Sequence, residues 1–309
     1  MRQRIDPLIA ERAPWLFLDR PTSRIARGIL ERLLRYPETL EVARTLSDKP
    51  ALAIMDDIAA KLARHVTVTG IDRIPAQGAA LLLANHPTGI ADGIILHHVL
   101  RQRRADAYFF ANHDILRVLP QMSEVIAPVE WRVEKRTHTR MRETMAYATR
   151  AAAAGRLGVI FPSGRLARRR GLRLVERPWM ASAAMLARKF DLPVIPVHIE
   201  ARNSALFYLF DLIHPTLRDI SLFHETLNKD RFSFGITVGE AIPARTIPPR
   251  AGDGIAFLHD ATLALGREHG RPGQPLVKHP LFSRHRTPSN PGSDAGDWRV
   301  DPRRRVASL

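Results

Sequence analysis

Two ionisable side chains stand six positions apart in the stretch LLLANHPTGIADGIILHH, residues 81–98. His86 ends one apolar run and Asp92 opens the next. Pro87 and Gly89 between them make a tight turn, which can bring together two side chains that extended chain would hold apart. A carboxylate on one ring nitrogen of a histidine fixes the tautomer and leaves the other nitrogen to accept a proton. Such a pair is a general base for a hydroxyl. The spacing also suits a plainer arrangement, in which Asp92 favours a helix N-terminus and His86 is a polar loop residue. A metal site drawing on His97, His98 and His113 fits less well. His97 and His98 are adjacent and diverge on a helix, and no HExxH pair is present.

A second block, LGVIFPSGRLARRRGLRLVERPW, is an apolar run followed by a Pro-Ser-Gly turn. Six arginines then fall between positions 165 and 177. A glycine turn after a strand exposes backbone amides, and arginines beside it form a fork for phosphate. Ser163, Gly164, Arg165 and Arg168 are therefore candidate substrate-binding residues, against the ordinary alternative of a solvated basic loop. Ser163 is not in a GxSxG elbow, which argues against a serine hydrolase. In a third block, LPVIPVHIEARNSALFYLFDLIHPTLRD, Arg202 and Asn203 follow an apolar strand. They are candidate substrate contacts, although Asn203 or Ser204 also suits a helix cap. Two prolines in PVIPVHI predict an edge or irregular strand. The run LFYLFDLI suits core packing or the wall of an acyl-chain site.

The elements that must position these residues alternate. Strands are expected over 79–84, 107–111, 124–129, 157–161, 193–199 and 232–238, and helices over 89–102, 138–154, 177–190 and 252–268. Alternation of this kind predicts an α/β fold with a central sheet flanked by helices. His86 then falls just past the carboxyl end of a strand, where open α/β sheets bind ligands. Upstream, Ile25, Ile29, Leu30, Leu33 and Leu34 recur at helical spacing over 22–36, with Thr22 or Ser23 as cap, and a second helix is expected over 50–64. These N-terminal amphipathic helices either bury against the domain or rest on a bilayer. The expected organisation is an N-terminal helical region over 1–65, a catalytic domain over 66–270 and a basic tail over 271–309, whose Pro, Gly, Ser and Arg content buries little surface.

With 309 residues, 45% of them hydrophobic, the chain can build one large core. Cysteine is absent, which excludes disulfides, thiolate metal sites and a cysteine nucleophile. The formal net charge of +16 points to an acidic partner: nucleic acid, an anionic membrane surface or an acidic carrier protein. No apolar stretch approaches the length of a membrane span, and MRQRIDPLIAERAPW lacks the apolar core of a signal peptide. The expected location is the cytoplasm, peripheral on the inner face of the cytoplasmic membrane.

Taken together, the three blocks resemble the glycerolipid acyltransferase superfamily, which includes the lysophosphatidic acid acyltransferases. Its N-H-x4-D motif is similar to Asn85, His86 and Asp92, with five residues rather than four between His and Asp. The form NHPTGIADG is closer to a bacterial branch of hemolysin-like and lysophospholipid acyltransferase proteins, where N-H-P-x-G-x-x-acid-G occurs. The family's F-P-E-G-T-R-S motif is matched by Phe161, Pro162 and Gly164, while Ser163, Arg165 and Leu166 replace its glutamate, threonine and arginine. VIPVHI with Pro196 resembles its apolar proline strand, and RNSALFYLFDLIHPTLR and VGEAIP also look like that branch. The resemblance spans roughly residues 60–245.

What it implies is transfer of an acyl group from a thioester, on acyl carrier protein or coenzyme A, to the hydroxyl of a lysophospholipid or related lyso-lipid. His86 would remove the hydroxyl proton and Asp92 would orient the ring, so these two form the candidate catalytic pair. No acyl-enzyme and no cofactor beyond the thioester co-substrate are required, and no metal. Asn85 would sit with the substrate-binding residues, and backbone amides around Gly89 or Gly164 are candidate oxyanion donors. Lysophosphatidate recognition in the family uses the glutamate and arginine that Ser163 and Leu166 replace, so a lyso-aminolipid acceptor fits as well. The competing reading is a basic membrane- or nucleic-acid-binding protein with a non-catalytic fold of this type. Nucleic acid is the poorer partner, since no base-stacking motif or recognition fold accompanies the charge.

Overall fold

The computed structural model describes residues 1–130, 136–171, 173–266 and 274–275. Its centre is a seven-stranded sheet. In chain order the strands are β1 (Val66–Thr69), β2 (Ala80–Ala84), β3 (Tyr108–Asn112), β4 (Ile126–Val129), β5 (Leu157–Ile160), β8 (Val194–Glu200) and β9 (Phe234–Val238), arranged β1-β9-β8-β2-β5-β3-β4. The five strands from β8 to β4 are mutually parallel, and β1 pairs parallel with β9. The β8–β9 pairing is antiparallel, so the sheet is mixed. Two short strands, β6 (Arg168–Arg170) and β7 (Arg173–Val175), form a separate antiparallel hairpin, and β10 (Gln274–Pro275) pairs with β7.

Helices cover both faces. The alternating side chains of β2 explain why: Leu82 and Ala84 pack with α4 (Ala51–Leu62) and α5 (Ile90–Leu100), while Leu81 and Leu83 pack with α7 (His138–Ala153), α8 (Ser182–Lys189) and α11 (Ala251–Ala264). A strand buried on both faces reads as an unbroken apolar run, as ALLLA does. Of the edge and irregular positions that its prolines suggest, β8 takes the irregular one, inside the sheet between β2 and β9. Pro193 precedes the strand, and Pro196 falls where its neighbour turns away after Val238. There Gly239 donates to the Pro196 carbonyl and Ile242 exchanges hydrogen bonds with Val194. A side chain at Gly239 would collide with the Pro196 ring, with 2.8 Å between its Cβ and Cγ. The ladder is thus rebuilt around the missing proline amide.

The N-terminal region contains α1 (Arg2–Arg12), α2 (Pro21–Leu33) and α3 (Tyr36–Leu46) before α4. α2 starts at Pro21 without a side-chain cap, so neither Thr22 nor Ser23 performs the capping role expected of it. Its polar stripe faces inward: Arg27 pairs with Asp6 of α1 at 2.7 Å and stacks over Phe17, and Tyr36 also bonds Asp6. Part of its apolar stripe faces outward, with Ile25 63% and Ile29 61% exposed and Leu33 also open, whereas Leu34 is buried and Leu30 half-buried. α4, by contrast, buries Ile54, Met55 and Leu62 in the core. No helix among the described residues is long and apolar enough to cross a membrane. The tail expected over 271–309 lies outside the described residues except for 274–275.

His198 of β8 is enclosed on the face opposite α4 and α5, and burial pushes its imidazole down to about 4. In the unfolded chain it returns to an ordinary value near 6.5. Between these values the unfolded state binds the extra proton, so stability rises with pH and is lost as pH falls from about 6.5 toward 4. The difference corresponds to about 3 kcal/mol. Urea denaturation at a series of pH values should show this loss, and His198→Gln should flatten the profile across that window.

Candidate active site

The site forms where parallel strands end together. Leu83 of β2 is in register with Ile160 of β5 and with Pro196 of β8, so the residues that follow the three strands share one rim. From β2 the chain enters Asn85-His86. Phe161, directly after β5, stacks on the His86 ring with centroids 4.2 Å apart. Asn85 lies between β2 and β8: its amide nitrogen donates to the Ile199 carbonyl at 2.9 Å, and its amide oxygen accepts from the Ile199 nitrogen at 2.7 Å. Both ends of the amide are taken by backbone. Asn85 thereby joins the end of β2 to β8.

The turn after His86 closes through Gly89, whose φ of 93° and ψ of −131° suit glycine alone. α5 begins at the next residue and presents Asp92 in its first turn. The Asp92 carboxylate is fully buried and accepts from the backbone nitrogens of Thr88 at 2.9 Å and Gly89 at 3.0 Å, and from the Thr88 hydroxyl. The His86 Nδ1 lies 2.9 Å from the same carboxylate. The helix-terminus arrangement and the ion-pair arrangement are thus one structure, not alternatives. A carboxylate surrounded by donors accepts, so the remaining proton of a neutral imidazole belongs on Nδ1. Nε2 then carries the lone pair, and it has no protein partner among the described residues.

The second block contributes a clasp as well as charge. The Ala167 amide donates to the His86 carbonyl at 2.8 Å, and the His86 amide donates to Oε2 of Glu176 at 3.1 Å. Ser163 is buried, with its hydroxyl donating to the Arg165 carbonyl at 2.7 Å. Gly164 takes a positive φ of 60° and its amide bonds the Phe161 carbonyl. The Gly89 amide bonds Asp92, so neither of these glycine amides serves as an oxyanion donor. Arg165 and Arg168 are exposed on the rim. Burial, and then the guanidiniums of Arg218, Arg165 and Arg168, hold Arg177 below its ordinary value, which marks a gathering of like charge. Arg218 itself is paired with Asp211 and Asp219.

In the third block Ser204, not Asn203, caps the helix α9 (Ala205–Ile213). Arg202 is exposed, whereas Asn203 is buried with both amide atoms unpaired among the described residues. Three partners of this loop were not apparent from the sequence. Glu225, in α10 (Pro215–Leu227), accepts from the Ser204 backbone and hydroxyl, and from Lys229 at 3.1 Å. Lys229 reaches on toward the Arg202 carbonyl at 3.4 Å, and burial lowers its pKa despite Glu225. Tyr208 accepts from the Asn203 backbone N–H, and burial raises its phenol to about 12. Glu225 and Lys229 lie 21 and 27 positions from the loop residues they meet, a separation that carries no sequence signal. His97, two turns from the site, bonds Asp56 of α4 at 2.7 Å.

Residues 65–200 match the family model described as Acyltransferase. The matched stretch encloses His86, Asp92 and the arginine hairpin. A lyso-glycine lipid O-acyltransferase of Phocaeicola vulgatus is 22% identical over 229 residues, covering 72% of this chain and 80% of the relative. One of Bacteroides thetaiotaomicron is 22% identical over 248 residues, covering 78% and 89%. The crystal structure of the 1-acyl-sn-glycerophosphate (LPA) acyltransferase PlsC from Thermotoga maritima superposes with a TM-score of 0.47 at 13% identity, covering 81% of this chain and 99% of that one.

Within the matched residues, the Asn85 bridge should contribute to stability. Asn85→Ala removes two buried hydrogen bonds to the Ile199 backbone, at a cost of about 1–3 kcal/mol. The urea midpoint of Asn85→Ala should fall accordingly.

Proposed function

We propose that this protein is an O-acyltransferase that moves a fatty acyl group from an acyl thioester, on acyl carrier protein or coenzyme A, to the hydroxyl of a lyso-lipid. The observation that carries this reading is the His86–Asp92 contact at 2.9 Å, with Nε2 left without a protein partner at the rim of the parallel strands. In the proposed step the acceptor hydroxyl donates its proton to Nε2 as its oxygen attacks the thioester carbonyl. Asp92 orients the ring and balances the imidazolium. Collapse of the tetrahedral intermediate breaks the C–S bond, and the proton passes from Nε2 to the departing thiolate. The ester and a free thiol are the products. No cofactor and no metal enter this scheme.

Arg165 and Arg168, with Arg177 behind them, supply the charge for an anionic head group on the acceptor. The names of the two curated relatives make glycine-type lyso-lipids a priority among acceptors. The outward stripe of Ile25, Ile29 and Leu33 supports peripheral attachment to an anionic inner-leaflet surface, with exposed Arg20 and Arg32 beside it. A soluble helix normally turns such a stripe inward.

The deciding assay offers labelled acyl carrier protein and acyl-coenzyme A thioesters to a panel of lyso-phospholipids and lyso-aminolipids. Wild type should acylate at least one acceptor, and His86→Ala should lose roughly 10²–10⁴-fold in rate. Full activity in His86→Ala would remove the proposed base. In a second experiment, Ile25→Glu with Ile29→Glu should abolish co-sedimentation with phosphatidylglycerol vesicles. Stability should stay within about 0.5 kcal/mol of wild type, because both side chains are already in solvent.

A further inference from the structure

The peptide of His86 is held on both sides by one excursion of the chain. After β5 the chain turns at Ser163-Gly164, runs through the β6–β7 hairpin and returns at Glu176. Going out, it gives the Ala167 amide to the His86 carbonyl. Coming back, it gives a Glu176 oxygen to the His86 amide. Arg177 closes the base of the excursion with a bond from Nε to the Leu166 carbonyl at 3.0 Å. Strand β2 ends at Ala84, so neither polar group of this peptide has a place in the sheet ladder.

Glu176 is a costly way to satisfy one amide. Its Oε1 is shut off from solvent and has no hydrogen-bond partner among the described residues. Burial raises the pKa of its carboxyl, and the charge of Asp92 adds to that, against the stabilising His86 peptide. A half-satisfied buried carboxyl lowers stability, and the hydrogen bond it does make goes to the His86 amide.

We infer that Glu176 is a positioning residue for His86: its Oε2, opposite the Ala167 clasp, fixes the peptide from which the imidazole projects. Asp92 and Phe161 set the ring about its own bonds, while Glu176 sets where the ring starts. The inference rests on the acyl-transfer reading of His86. It makes the arginine hairpin part of the same rigid unit as the proposed base.

The test compares Glu176→Gln, which keeps an oxygen for the His86 amide, with Glu176→Ala, which does not. Glu176→Gln should retain kcat within about threefold. Glu176→Ala should lose roughly tenfold to a hundredfold in kcat with the acceptor KM little changed, as expected for a misplaced base. A structural loss would lower the folded fraction, so rates are taken per folded molecule from thermal melts. Without substrate, ¹⁵N-histidine NMR follows the His86 ring signal, identified by its absence in His86→Gln. That signal should move in Glu176→Ala and stay in Glu176→Gln. Unchanged kcat and an unmoved signal in Glu176→Ala overturn the inference. Equal loss in both variants with a raised acceptor KM also overturns it, because that pattern belongs to a carboxylate touching substrate. If wild type transfers no acyl group, the proposed reaction fails, and the NMR comparison alone decides the role of Glu176.

Discussion

The buried carboxylate of Asp92 is the constraint on which the rest of the site depends. It is fully buried, and it gathers two backbone amides, a hydroxyl and an imidazole at the start of α5. Each donor holds the carboxylate in place, and the helix terminus adds its own positive end. The same contacts shape the chain. Thr88 and Gly89 can both reach the carboxylate only if the turn is tight, and the turn is tight only because Gly89 takes a conformation closed to other residues. The five-residue gap between His86 and Asp92 is accommodated in this way. The extra residue goes into the turn, and the ring still meets the carboxylate.

The parallel sheet explains why separate blocks converge. Parallel strands carry their following loops to one edge, so residues after β2, β5 and β8 meet there although more than a hundred positions separate the first from the last. This was legible in the sequence. ALLLA, LGVI and PVIPVHI each read as buried strands followed by polar residues, and their continuous apolar character places them inside a two-faced sheet. β1 and the β6–β7 hairpin were not legible. VTVT alternates in a short stretch, and an arginine-rich hairpin has no apolar periodicity at all. The prolines of β8 left an edge and an irregular position open, and a break in the neighbouring strand makes it the irregular one.

Site residues divide along the same line. His86 and Asp92 are close in sequence, and their geometry is a local consequence of one turn. Asn85 was visible as part of the same stretch, but its work is with Ile199, which only the β2–β8 pairing brings within reach. Glu176, Glu225 and Lys229 could not be found by pattern. Each acts across a long loop or a helix turn and is an ordinary charged residue in its own segment. Glu176 adds a particular point. Ser163 occupies the place where the resembled motif carries glutamate, and a carboxyl nevertheless lies beside the Ser163 hydroxyl, delivered by the returning arm of the hairpin. The motif looks depleted when read along the chain and does not when read in space.

α2 reverses the rule by which amphipathic helices are placed. Its arginine and glutamate stripe satisfies Asp6, Phe17 and its own neighbours, while isoleucines face solvent. Turning the helix over would bury Ile25 and Ile29 but would strand Asp6, which bonds both Arg27 and Tyr36. A partly buried carboxylate that loses both partners is left poorly solvated, so the inner polar contacts favour the observed orientation. The outward stripe is then a standing feature of the fold rather than a packing defect. Under the proposed membrane attachment this stripe meets lipid instead of water. On that proposal the acceptor lies in the same lipid, and the net charge of +16 suits an anionic surface.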